Sequence, residues 1–154
     1  VYYISIDYGT ANPTAMGLWR VHHGEAVMMA EYYYDGRAMR QQKTDEEYYQ
    51  DLEEFAGGKK IERVIVDPSA ASFKESIHRH GKFAVWDADN SVLTATLLQD
   101  GRLKFHESCE NTFLEFQSYM WDGDAGEDKV IKENDHAMDM IRYFANTVMW
   151  REIA

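Results

Sequence analysis

The chain opens on an apolar run over residues 2–7, with an alternation that buries one face, and the run ends on Asp7, where Tyr8-Gly9-Thr10 lets the backbone turn. Residues 14–22 and 26–34 repeat the strand signature, rich in aromatic and β-branched side chains. His23-Gly24-Glu25 between them is short enough for a hairpin. The period then changes to that of a helix over 43–56. Thr44 can cap it, Glu47 follows three residues later, Tyr48, Leu52 and Phe55 share one stripe, and Gly57-Gly58 stops it. A nearly all-apolar strand over 61–67 ends on Asp67, and Pro68 cannot continue a ladder, which fixes the chain break behind that carboxylate.

Helices are predicted over 69–80, 90–100, 110–121 and 135–151, with a short strand at 83–87 and a short strand or extended piece at 102–106. In the helix at 110–121, Phe113, Phe116, Gln117, Met120 and Trp121 form the predicted core stripe. In the final helix the stripe is Ala137, Met138, Ile141, Phe144, Ala145 and Val148. Residues 122–133 hold Gly, Asp and Lys without apolar periodicity and read as a mobile loop that controls access to whatever lies beside it. Strands with hairpins, then alternating helix and strand, then helices, make an α/β protein: a mixed β-sheet flanked by helices, in the strand order of the ribonuclease-H-like fold. No repeat, low-complexity block or long linker interrupts it, so residues 1–154 read as a single domain. The chain begins at Val1 directly on a strand, without an initiator Met, and is expected to be excised from a larger one.

Composition narrows the functional classes. A hydrophobic fraction of 45% with seven Phe, four Trp and ten Tyr argues against disorder. No apolar run reaches the length of a membrane span, and no signal-peptide pattern opens the chain. A single cysteine, Cys109, excludes an internal disulfide and fits a reducing compartment. The net charge of −11 argues against a free-standing nucleic-acid binder, because phosphate affinity depends largely on Lys and Arg. Most of that charge reads as a solvated surface such as residues 45–54; part of it can be a carboxylate cluster for cations.

Three carboxylates occupy positions where such a cluster forms. Asp7 and Asp67 sit at strand ends, where side chains emerge beyond the sheet. Asp139 lies at the start of the last helix, beside its apolar stripe, and a carboxylate there can complete an all-oxygen cage for Mg²⁺ or Mn²⁺. Each also has a plainer reading. Asp7 alone reads slightly better as a turn cap, Asp67 equally well as a helix cap, and one of Asn134 and Asp135 as the cap of the last helix. His136, three residues before Asp139, is a metal ligand, a base, a positioner of water, or a hydrogen-bonded structural residue. Asp135 remains a secondary acid or a helix cap. His22, His23, His78, His80 and His106 show no ligand spacing, and Gly57-Gly58-Lys59-Lys60 is too short for a phosphate-binding loop.

At these residues the chain resembles the C-terminal nuclease domain of the terminase large subunit of tailed phages and prophages. The matching motifs are Ile6-Asp7-Tyr8-Gly9-Thr10 with Asn12-Pro13, Val66-Asp67-Pro68-Ser69-Ala70 and Ala88-Asp89-Asn90-Ser91-Val92. Near the end they are Tyr119-Met120-Trp121-Asp122 and Lys132-Glu133-Asn134-Asp135-His136-Ala137-Met138-Asp139 with Ile141-Arg142-Tyr143. The resemblance implies a ribonuclease-H-like endonuclease that cuts concatemeric double-stranded DNA with two divalent cations, Mg²⁺ or Mn²⁺. It implies Asp7, Asp67 and Asp139 as metal ligands and His136 as their neighbour in the site. Lys129 and Lys132, in the loop running into that helix, are candidate contacts to DNA phosphates. The partners implied are double-stranded DNA, an ATPase domain of the same full-length chain, the small terminase subunit and the portal. The expected place is the host bacterial cytoplasm. Two other readings stand beside it: a non-catalytic docking module of the packaging motor, which predicts no metal dependence, and an actin-like or sugar-kinase-type nucleotide-binding domain, which needs a second Gly-rich loop and about twice this length.

Overall fold

The computed structural model describes residues 1–9, 12–89, 101–124 and 136–149, with the side chains of 118–124 left out. Six strands form one sheet: β1 (Tyr2–Asp7), β2 (Thr14–His22), β3 (Glu25–Tyr34), β4 (Ile61–Val66), β5 (Val85–Asp87) and β6 (Leu103–Phe105), in the spatial order β5-β4-β1-β2-β3-β6. The meander β1-β2-β3 is antiparallel, whereas β4 pairs parallel to β1, β5 to β4 and β6 to β3. The sheet is mixed, as the element order predicts, and β1 lies between an antiparallel and a parallel neighbour.

Helices cover both faces. On one face α1 (Asp45–Ala56) and α2 (Ala71–His80) close a core of Ile4, Ile6, Leu18, Val64 and Val66 against Tyr48, Leu52, Phe73 and Ile77. The capping box expected at Thr44 forms: its hydroxyl accepts the Glu47 N–H, and the Glu47 carboxylate accepts the Thr44 N–H. On the other face lies α4 (His136–Phe144), packed on Tyr3, Ala15, Trp19, Met28 and Ile65. Phe144 stacks on Trp19 at 4.0 Å, and the Trp19 indole N–H donates to the buried Ser5 hydroxyl at 2.9 Å. Gly17 of β2 makes the close approach possible. A Cβ there would sit inside the van der Waals radius of Met140 Sδ and 2.8 Å from Met28 Sδ.

Two helices differ from the pattern read off the sequence. The one expected at 110–121 is α3 (Glu110–Asp124), so the first residues of the expected loop are helical. Its core stripe is also rotated. Phe113 and Leu114 are 39% and 60% exposed and Gln117 is exposed, whereas Thr112 and Glu115 are buried and Phe116 is half-buried against Phe105. The face that turns inward is polar because its carboxylate meets the start of α4. The last helix does not run on as one α-helix: after Phe144 the ladder widens to a π-helical turn, Ala145–Met149. There the Thr147 hydroxyl accepts the Asp89 N–H just past β5. The predicted helix at 90–100, the rest of the loop at 122–133, and residues Lys129, Lys132 and Asp135 lie outside the described residues. Among the described residues no helix is long and apolar enough to cross a membrane.

Candidate metal centre

Strand alternation sets which face each carboxylate joins. Tyr3 and Ser5 point toward α4, so Asp7 does too; Ile65 belongs to the same face, and Asp67 follows two residues later. The parallel register pairs Ile6 with Val66, which brings Asp7 and Asp67 out side by side at the carboxyl ends of adjacent strands. Carboxyl ends of parallel strands are where open α/β sheets place their ligands. Two local devices hold the strand ends. Gly9 packs against the carbonyls of Asn12 and Pro13 where no Cβ fits, and its N–H and C=O both bond the Thr14 hydroxyl, at 3.0 and 2.9 Å. Behind Asp67, the Ser69 N–H donates to Asp67 Oδ1 at 2.9 Å. That is a turn ahead of α2, whose N-cap is Ala70 and has no side-chain cap bond.

Across from this pair runs one stripe of α4. His136, Asp139 and Tyr143 are three and four residues apart, the spacing that aligns side chains on a helix. His136 Nδ1 lies 3.0 Å from Asp7 Oδ2, with the two side chains only 17% and 14% exposed. The Tyr143 hydroxyl donates to Asp67 Oδ2 at 3.0 Å. Asp139, between them in sequence, accepts from Arg142 at 3.0 Å. The site is thus stitched at both ends, His136 to Asp7 and Tyr143 to Asp67. Burial works to raise the Asp67 pKa, but the Ser69 N–H and hydroxyl, the Tyr143 hydroxyl and the Arg142 charge together outweigh it and hold it below the usual carboxylate value. The same surroundings push the Tyr143 phenol far up, first by burial and then by the charge of Asp7 and its bond to Asp67.

The donor chemistry is that of a hard divalent cation: carboxylate oxygens, with one imidazole beside them. The arrangement is not a closed cage. Among the described residues, no group of three or more His, Cys, Asp and Glu side chains is drawn together tightly enough to hold one ion. Asp139 is turned toward Arg142 and Asp7 toward His136, each through one oxygen, so a cation would share each carboxylate with that partner or displace it. Tyr143, Arg142 and Glu115 carry no role in the sequence reading. Helical spacing alone would have put Tyr143 on the His136–Asp139 stripe; Glu115 left no comparable signal. Cys109 is buried, and burial first and the Glu31 charge second push its thiol up to about 11, which makes it a core residue.

No family model matches the chain. Its sequence is 27% identical to the "Terminase, large subunit" of Escherichia phage T5 over 151 residues, which is 91% of this chain and 34% of that protein. Its structure superposes on the large terminase of a thermophilic bacteriophage, solved in complex with ADP, with a TM-score of 0.86 and 42% identity over 97% of this chain and 40% of that one. It also superposes on the large terminase nuclease of thermophilic phage G20c with bound zinc (TM-score 0.62, 11% identity, 94% and 80% covered). The magnesium-bound form of that nuclease gives 0.55, with 11% identity and 77% and 64% covered. The fold is therefore the ribonuclease-H-like fold of large-terminase nucleases. In sequence and fold this chain is similar to a part of phage large terminases, and it shares its fold with the G20c large terminase nuclease. It spans about a third of the T5 subunit and 40% of the ADP-bound terminase.

Proposed function

We propose that this chain is the metal-dependent endonuclease domain of a phage DNA-packaging terminase and cuts concatemeric double-stranded DNA. One observation carries the reading: Asp7 and Asp67 emerge from adjacent parallel strands directly under the α4 stripe that bears His136, Asp139 and Tyr143. Support comes also from the G20c nuclease, which shares the fold and was crystallised with zinc and with magnesium.

In this reading Asp7, Asp67 and Asp139 hold two divalent cations. When bound, such cations supply the Lewis acidity that activates the attacking water and neutralises the leaving oxygen of an in-line displacement. The protein's own groups do the positioning. Ser69 and Tyr143 keep Asp67 ionised and aimed, His136 orients Asp7, and Arg142 holds Asp139 until a cation competes for it. Lys129 and Lys132 are the proposed contacts to the DNA backbone, and Asp135 a secondary acid. The ATPase domain, small subunit and portal belong to the rest of the proposed machine, acting in the host cytoplasm.

Supercoiled plasmid incubated with the protein in Mn²⁺, Mg²⁺ or EDTA tests this. Relaxed and linear products are expected with either cation and none with EDTA. Equal cutting in EDTA would sink the reading. A folded protein that neither binds Mn²⁺ in calorimetry nor cuts would favour the docking-module alternative.

A further inference from the structure

We propose, resting on the nuclease reading above, that Glu115 is a positioning residue for the carboxylate site: its buried carboxylate fixes the height and rotation of the first described turn of α4, and so where His136, Asp139 and Tyr143 meet the strand-end aspartates. Glu115 belongs to α3 and is only 5% exposed. Its Oε2 accepts the Ala137 N–H at 3.0 Å and its Oε1 accepts the Met138 N–H at 3.1 Å. The first N–H groups of a helix have no partner within it, and the positive end of the helix dipole faces whatever lies there. A buried carboxylate, for its part, is strongly disfavoured without such donors. Each therefore satisfies the other. With one oxygen on each of two successive N–H groups, the contact fixes both the height and the rotation of the helix, which a single bond would leave free.

The residue preceding these two N–H groups is His136, whose ring reaches Asp7 at 3.0 Å. A small slide or turn of α4 would move His136, Asp139 and Tyr143 together, since all three ride on one rigid element. The anchor is itself anchored: Glu31 of β3 accepts the Asn111 N–H in the first turn of α3 at 2.7 Å. Two acids thus tie the sheet to α3 and α3 to α4. This also accounts for the rotated face of α3. A helix chosen for apolar packing would bury Phe113 or Leu114, whereas this one exposes both and buries the carboxylate.

The test compares the parent with Glu115→Gln, which keeps the size and one acceptor oxygen but turns an amide NH₂ toward one of the two N–H groups. Ile77→Val is the control: it is fully buried on the opposite face, between α1 and α2, and lowers the melting temperature by a few degrees without touching α4. Each is measured by Mn²⁺ calorimetry, plasmid cleavage and amide hydrogen exchange of the metal-free protein. In Glu115→Gln the Ala137 and Met138 amides should exchange at least about tenfold faster. Mn²⁺ affinity and kcat should fall at least about tenfold, with KM for DNA changed by less than about twofold. Ile77→Val should show none of these changes. Parental exchange and parental Mn²⁺ affinity in folded Glu115→Gln would overturn the proposal. If that variant does not fold, Glu115→Asp, which keeps the charge on a shorter arm, takes its place: the same losses support the proposal, and parental exchange and affinity overturn it. If the parent neither binds Mn²⁺ nor cuts DNA, the nuclease reading fails. The exchange of Ala137 and Met138, with loss or retention of the His136–Asp7 contact by NMR, then still decides the role of Glu115.

Discussion

Asp67 shows how much of the site's character is set by single bonds. Its depressed pKa means that the folded protein favours the carboxylate. Such a group stabilises the fold above its unfolded pKa and loses that contribution as pH falls through the folded one, so the window lies below about pH 4. Tyr143→Phe removes one donor and should lower the unfolding free energy by about 1 kcal/mol near neutral pH. The gap from the parent should narrow as pH is taken below the folded Asp67 pKa. Urea titrations from pH 7 down to the lowest pH at which the protein still folds would measure it, and a gap that stays constant throughout would count against a role through the Asp67 charge. The chemistry is expected to be more sensitive than the stability. Asp7→Asn, Asp67→Asn and Asp139→Asn should each slow plasmid cutting by on the order of a hundredfold, because losing one ligand removes several kcal/mol of charge stabilisation. A variant that cuts at the parental rate would remove its residue from the proposed ligand set. Cys109 gives a simpler check. With its thiol pushed up to about 11, alkylation at pH 8 should be about a hundredfold slower in the native protein than in urea.

The two faces of the sheet carry different burdens, so helices can be altered selectively. Thr44→Ala removes the capping box of α1 and should cost about 1 kcal/mol while leaving cutting unchanged, since α1 packs on the face away from the carboxylates. Gly17→Ala should cost about 1–3 kcal/mol by overpacking and should also slow cutting, because the added carbon presses on Met140, next to Asp139. Comparable loss of activity in the two variants would show that the faces are coupled. The contrast marks what the sequence makes legible. Strands β1 to β4, the Thr44 box and the α4 stripe follow from local periodicity and capping chemistry, which the chain displays in order. The placement of Asp7 and Asp67 on one face is legible too, once β1 and β4 are known to be parallel, because alternation then fixes both. The face of α3 is not legible. Its orientation is decided by Glu115 meeting backbone N–H groups 22 and 23 residues away, a contact that leaves no period in the sequence. The π-turn after Phe144 is hidden for a similar reason: the wider turn coincides with a hydroxyl reaching the backbone past β5, which side-chain patterning does not encode.

At the scale of the whole molecule, the net charge of −11 opposes DNA. Duplex binding by this chain alone should be weak at physiological salt and should strengthen when divalent cations neutralise the carboxylates. Fluorescence anisotropy with and without Mn²⁺ would measure it, and tight binding in EDTA would point to a basic groove. The His136–Asp7 contact joins residues 129 positions apart. During synthesis the strands and the α1–α2 face leave the ribosome long before α4 does, and loops this long close late. The incomplete chain therefore presents two bare strand-end aspartates with nothing opposite them. On the nuclease reading, the carboxylate site should be completed only when α4 docks. In pulse-labelled refolding, amides of β1, β4 and α1 should gain protection before those of α4, and simultaneous protection would mean that the two faces of the sheet form as one unit.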